Sequence, residues 1–324
     1  MKKVFLIGCL LCGFAIYGNS SILHAEDVYP SRTIEFYCGW PAGSGLFMSQ
    51  RVIAQAASEI LGRPVQVVGK PGAGGTIAAE FIAKSKPDGY KLLLFNSGSN
   101  GISVAVSDVR YSNSDFDIIC GSYIQSLVMV VPMNSPHRSV KDLVEFARKN
   151  PGKLKYATTG VGTSSHLASE LLNQVAGIKT VHVPFKGGAE CYAAIVGGHV
   201  DFSVFYYGSI KGLIDAEKLR VLAQANDTRG ANLPDIPTFI EEGYPQMVFS
   251  VWYGVAGPKG MPPNVMEKLQ DAFGKASQDK TVSKMLDSLG YTDKYMPKKA
   301  FEDFVGNEIQ TIVKIVKEAN IEIK

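Results

Sequence analysis

Between residues 156 and 202 the chain reads YATTGVGTSSHLASELLNQVAGIKTVHVPFKGGAECYAAIVGGHVDF. Thr159, Gly162, Thr163, Ser164 and His166 crowd a turn that leaves a strand-like segment (155–158) and enters an apolar-periodic helix (164–176). The first turn of a helix carries N–H groups with no intrahelical acceptor, at the positive end of the peptide dipole. A hydroxyl-rich turn there therefore suits an anion, a carboxylate above all. A second turn, Pro184-Phe185-Lys186-Gly187-Gly188, follows the next strand and opens the next helix, so two such termini can converge on one carboxylate. Asp201 and Tyr206 follow shortly after. This chemistry holds a ligand and offers no means of breaking one.

An earlier stretch repeats the arrangement. A strand over 33–38 ends in Gly39-Trp40-Pro41-Ala42-Gly43-Ser44-Gly45-Leu46-Phe47, and a long helix begins at 46. After a strand over 91–95, Asn96-Ser97-Gly98-Ser99-Asn100 adds amide and hydroxyl donors. Open α/β sheets bind ligands off the carboxyl ends of their strands. These loops can thus face the 159–166 turn across a cleft. The glycines permit positive φ in tight turns whether or not a ligand is bound, and Ser164 can serve as a helix cap. It is the pairing of the loops that favours binding.

The elements that must position them alternate. Strands are expected near 33–38, 65–68, 91–95, 117–123, 127–132, 155–158, 180–184, 200–206, 219–225 and 249–256. Helices are expected over 46–61, 76–84, 140–149, 164–176, 189–197, 263–277, 281–289 and 298–317. Turn signals such as Pro87-Asp88-Gly89 and Asn150-Pro151-Gly152 separate them. The order strand, loop, helix, strand is α/β.

Lys2 and Lys3 precede an uncharged apolar run over 4–17 and then Leu23-His24-Ala25, the outline of a secretory signal peptide cleaved near Ala25. That run is too short to span a bilayer comfortably, and an exported, periplasmic chain without stable membrane insertion is expected. Leu6-Ile7-Gly8-Cys9 has the look of a lipoprotein box, but too little apolar sequence precedes it for lipid attachment at Cys9 to be favoured. Removing residues 1–25 takes away two lysines and no acid, so the formal charge falls from +3 to +1. No basic run is left for nucleic acid. The 299 residues that remain favour two lobes. Cys38, Cys120 and Cys191 are too few and too scattered for a disulfide framework or a metal site, although one bridge is open to them.

Enzymatic readings fail on their parts. Gly69 to Thr76 imitates a phosphate loop but lacks the lysine after its last glycine. Ser164 and Ser165 beside His166 form no triad, because neighbours on a helix point apart and no GxSxG elbow is present. Cys38 has no identified partner base. No cofactor, metal or catalytic residue is expected.

The segments YPSRTIEFYCGWPAGSG, LGRPVQVVGKPGAGGTIAA, KPDGYKLLL, YATTGVGTSSHLASELL, VHVPFKGGAECYAAIVGGHVDF, LPDIPTFIEEGYP and VWYGVAGPKGMP occur in this order. Together they resemble the extracytoplasmic solute receptors of tripartite tricarboxylate transporters, the Bug family, over essentially the whole chain from Val28. The resemblance implies a two-lobed type II periplasmic-binding (flytrap) fold, with residues 26–125 plus 248–324 in lobe 1 and 126–247 in lobe 2. It implies a small carboxylate captured between the lobes by a monomer, and delivery to a membrane permease of one large and one small subunit. Carried over by position, ligand contacts fall on Trp40, Ala42, Gly43, Ser44, Gly45 and Phe47, and on Asn96, Ser97 and Ser99. In lobe 2 they fall on Thr159, Gly162, Thr163, Ser164, His166, Lys186, Gly187, Asp201 and Tyr206. Where the family commonly carries an Asp after the first glycine loop, this chain has Phe47. A ligand without an amino group, with an apolar part against Phe47, Trp40 or Tyr206, is therefore expected. A sensing subunit for a membrane kinase is the rival function within the class, and an exported hydrolase the rival outside it.

Overall fold

The computed structural model describes residues 29–230, 232–249 and 251–321. The expected leader, with Cys9 and the expected cleavage position near Ala25, lies outside the described residues. The chain opens with β1 (Ile34–Cys38), α1 (Gly45–Leu61), β2 (Val65–Gly69), α2 (Thr76–Ala83) and β3 (Lys91–Asn96). A π-helical turn at Ser97–Ile102 and the short α3 (Ser103–Val106) lead to β4 (Phe116–Gln125). Next come β5 (Leu127–Pro132), α4 (Val140–Lys149), β6 (Lys155–Thr158), α5 (Ser164–Ala176), β7 (Val181–Pro184) and α6 (Gly188–Val196). They are followed by β8 (Ser203–Tyr206), α7 (Tyr207–Asp215) and β9 (Leu219–Gln224). The last elements are β10 (Val251–Pro258), α8 (Pro263–Ser277), α9 (Lys280–Ser288), β11 (Thr292–Pro297) and α10 (Lys298–Glu318).

Strands from both ends of the chain make one six-stranded sheet, ordered β11-β4-β10-β3-β1-β2. In it β1 runs parallel to β2 and β3, while β10 lies antiparallel between β3 and β4. The middle of the chain makes a three-stranded antiparallel sheet, β8-β5-β9, and a parallel pair, β6-β7. The chain leaves the large sheet at Ser126 and returns to it between Gln224 and Val251. Those two passages are tied together: Asn226 Nδ2 donates to Ser126 Oγ at 2.8 Å, and Ala225 N donates to the Leu127 carbonyl at 2.8 Å.

Period-two alternation decides which helix covers which face. On β1, Phe36 meets Phe273 of α8 on one side, and Tyr37 meets Phe81 of α2 on the other. Phe95 and Trp252 bury against Phe301 of α10 on that second side. β4, β5 and β10 are buried along their whole length, as strands covered on both faces must be.

Besides the single-turn α3, two elements carried no clear signal in the sequence. α7 contains Gly208 and Gly212, which lower helix propensity; burial of Tyr207 and Ile210 stabilises it instead. β11 reads TDKYMP, a partly exposed edge strand with too little apolar alternation to stand out. Among the described residues no helix is long and apolar enough to cross a membrane.

Gly254 on β10 has no room for a methyl group. A Cβ there would lie 2.4 Å from the Phe301 ring and 2.5 Å from the Cys120 carbonyl oxygen. Gly254→Ala is expected to cost about 1–3 kcal/mol by overpacking, seen as a lower urea midpoint; an unchanged midpoint would contradict this packing.

Candidate functional site

The two helix starts singled out in the sequence differ in how far their N–H groups are already bonded. At α1, Ser44 is a true N-cap, its Oγ accepting from Phe47 N at 3.2 Å. At α5, Thr163 occupies the cap position without capping. Its hydroxyl donates instead to the Gly160 carbonyl at 2.8 Å and contacts Ser165 Oγ at 3.1 Å. Gly160 (φ +132°) and Gly162 (φ +74°) give the turn its left-handed bends. The N–H of Gly162 donates to His166 Nδ1 at 3.1 Å. His166 thus braces the turn, and if neutral it carries its proton on Nε2. Among the described residues the amides of Ser164 and Ser165 have no protein acceptor.

Between these helix starts lies a cluster of tyrosines that sequence reasoning missed. Tyr123 stacks on Tyr253 at 4.9 Å, and Tyr291 meets both edge-on at 5.3 and 5.7 Å. The Tyr123 hydroxyl contacts Ser49 Oγ of α1 at 3.0 Å, and Tyr253 donates to Gln125 Oε1 at 3.3 Å. A Cβ on Gly45, the first residue of α1, would sit 3.6 Å from the Tyr291 hydroxyl. From the other side Tyr206 completes the group. Burial raises its pKa, the Ser164 hydroxyl opposes that shift as a hydrogen-bonding neighbour, and its charge would be felt by Tyr253 and Tyr291. Burial likewise pushes Tyr291 up to about 12, so these hydroxyls stay protonated at neutral pH and can donate. Tyr123 and Tyr253 sit on strands whose apolar runs read simply as core, and Tyr291 precedes the strand that gave no signal.

Other expected contacts are placed elsewhere. Asp201 accepts from Lys155 N at 2.7 Å, at the amino end of β6, whereas the ligand turn leaves its carboxyl end. Residues 202–206 run alongside β6 from Tyr156, so the same segment that removes Asp201 delivers Tyr206 to the site. Asn96 and Ser99 are consumed within their own turn. Asn96 Oδ1 accepts from Gly98 N and Ser99 N at 2.9 and 3.1 Å, while Ser99 Oγ donates to Asn100 Oδ1 at 2.8 Å. Ser97 is buried at the start of that turn. Trp40 lies over Gly75 and Gly98 and ties three loops together at the carboxyl edge of the large sheet. Phe47 turns onto edge strand β2, against Gly69, and lines an outer groove with Arg51 and Gln55. Ala42, Gly43 and Gly45 are exposed. Thr159 is half-buried; Gly187 begins α6 without a side-chain cap, and Lys186 before it is exposed.

This arrangement has known relatives. The model of the tripartite tricarboxylate transporter family receptor matches residues 49–321. The chain belongs to that family. It is 32% identical to the UPF0065 protein in the tcbD-tcbE intergenic region of Pseudomonas sp. strain P51, over 95% of this chain and 93% of that one. It is 30% identical to Protein BugT of Bordetella pertussis, over 93% of each chain. Among solved structures, a TctC solute binding protein from Polaromonas superposes with a TM-score of 0.79 at 25% identity, over 90% of this chain and 99% of that one. An R. palustris protein solved with adipate gives 0.76 at 26%, over 90% and 99%. The R. palustris protein MatC, solved with bound malate, gives 0.71 at 25%, over 89% and 100%. The architecture is accordingly the α/β fold of periplasmic solute-binding proteins, and the chain is a receptor of that class and not an enzyme.

In this receptor Cys38, beside the tyrosines, is a free buried thiol that burial pushes up to about 11, too high to act as a nucleophile at neutral pH. Cys120 and Cys191 are also free and buried.

Behind the α5 turn the receptor stacks three rings. His166 lies 4.0 Å from His182, which lies 5.0 Å from Tyr156. The Tyr156 hydroxyl donates to Glu170, and His182 Nε2 pairs with Thr158 Oγ1 at 2.6 Å. Burial first, then the neighbouring His166, lower the His182 pKa from 6.5 to about 4. The unfolded chain therefore takes up this proton before the folded one does, and stability falls as pH drops from 6.5 towards 4. Urea midpoints measured across that window are expected to decline, and His182→Gln to flatten the decline; equal slopes would contradict it.

Proposed function

We propose that the receptor captures a small carboxylate lacking an amino group and passes it to a membrane permease of one large and one small subunit. The lobes in this reading are residues 26–125 with 248–324 and residues 126–247, closing about the two chain passages. One observation carries the proposal, a chain of neighbours across the cleft. Gly45 at the start of α1 lies against Tyr291, Tyr291 senses Tyr206, and Tyr206 stands beside Ser164 at the start of α5. A carboxylate lodged there meets uncapped amides and hydroxyls, which bond more strongly to a charged acceptor than to a neutral one.

Tyr206, only partly buried beside Ser164, offers a ring face there, and that ring takes the place of Phe47 as the selector of the ligand's apolar part, with the buried Tyr123, Tyr253 and Tyr291 packed behind it. None of the residues in this chain of neighbours is an acid that would pair with an ammonium group. Related receptors solved with adipate and malate support the carboxylate class. Binding favours the closed form, because only there do both helix starts reach one ligand.

In calorimetric titrations adipate or malate is expected to bind and aspartate or glutamate to bind far more weakly. Tyr291→Phe and Ser164→Ala are each expected to weaken binding roughly tenfold or more, about 1.5–3 kcal/mol per lost charge-assisted bond. Tight aspartate binding with no binding of the amine-free acids would contradict the reading.

A further inference from the structure

A concavity of about 760 Å3 opens on the α2 side of the large sheet and shares no residue with the tyrosine cluster. Five of the residues that line it are cations (Arg32, Lys70, Lys84, Lys86 and Lys91) and two are acids (Glu80 and Asp88). The whole chain carries a formal charge of only +3, and +1 once residues 1–25 are removed, so this one hollow holds as much positive charge as the entire sequence. The acids are already engaged, Glu80 with Lys84 at 2.5 Å and Asp88 with Arg32 at 3.4 Å. Lys70, Lys86 and Lys91 have no ion-pair partner among the described residues.

Two of these lysines are held in place. The ammonium groups of Lys70 and Lys91 sit 4.5 and 4.8 Å from the centre of the Phe81 ring, and the Arg32 guanidinium sits 3.9 Å above Tyr90. Ring faces attract cations and hold their long stems, so the charges are presented in fixed positions and not swept through solvent. Glu35 pairs in register with Lys91, but its carboxylate accepts from the Tyr37 hydroxyl at 3.1 Å. Phe81 and the 44% exposed Ile77 give the hollow an apolar part to its lining.

We infer that this hollow is a docking surface for an acidic segment of a partner protein. Apolar side chains and unpaired charge in one hollow are a combination that protein interfaces share. Unpaired cations of one sign select an acidic partner and speed its encounter. A small free anion would want buried, converging donors, and these lysines are only half-buried or exposed. A bilayer would want projecting cations, and these lie within a concavity over rings.

The test titrates a fluorescein-labelled Glu- and Asp-rich peptide into the mature protein, its Lys70→Glu/Lys91→Glu variant and its Lys70→Gln/Lys91→Gln variant. Wild type is expected to bind the peptide, more weakly as salt rises. The Gln variant should lose several-fold and the Glu variant more than tenfold in affinity, with carboxylate binding in the cleft unchanged in both. Peptide affinity that is equal in all three proteins overturns the inference. Stoichiometric displacement of the peptide by inorganic phosphate overturns it in favour of a small-anion site. Binding of phosphatidylglycerol vesicles in preference to the peptide overturns it in favour of a lipid surface.

Discussion

The centre of the receptor depends on a helix start that the protein leaves unfinished. Thr163 stands where a cap belongs, but its hydroxyl is bonded to the Gly160 carbonyl, so among the described residues the Ser164 and Ser165 amides have no acceptor. Leaving such groups without a partner costs about 1–3 kcal/mol each when they are removed from water, a cost that the proposed ligand carboxylate would remove. The α1 start is different, being closed by Ser44. The two helix starts are therefore not equivalent: one is capped by its own side chain, and in the proposed mode of binding the other is completed by the ligand.

Much of the remaining architecture can be read as support for that open turn. The His166–His182–Tyr156 stack fixes it from behind, with Thr158 and Glu170 fixing the rings. Gly290 and Gly208 let α7 and the turn before β11 approach so closely that a Cβ on Gly290 would lie 2.3 Å from the Gly208 Cα. That approach brings Tyr291 and Tyr206, far apart in the sequence, into one cluster. The bond from Gln174 Nε2 to the Ile315 carbonyl, 3.1 Å, ties α5 to α10.

The sequence made the helix starts legible because loop chemistry is local. Gly, Ser and Thr between a strand and an apolar-periodic helix mark an anion site without knowledge of the fold. The floor of the site was not legible in this way. Tyr123 and Tyr253 are ordinary strand residues until the antiparallel register of β4 and β10 sets them opposite each other. Asp201 and Tyr206 lie five residues apart on one segment, yet only the direction of that segment along β6 shows which of them reaches the ligand turn. Phe47, expected to choose the ligand, faces the edge of the sheet because the register of α1 turns it there.

Backbone amide shifts of labelled protein during a titration with adipate test the account most directly. The account predicts that the Ser164 and Ser165 amides move downfield as they acquire a charged acceptor, together with the Tyr206 and Tyr291 resonances. Shifts confined to other loops, with the α5 amides unmoved at saturation, would contradict it.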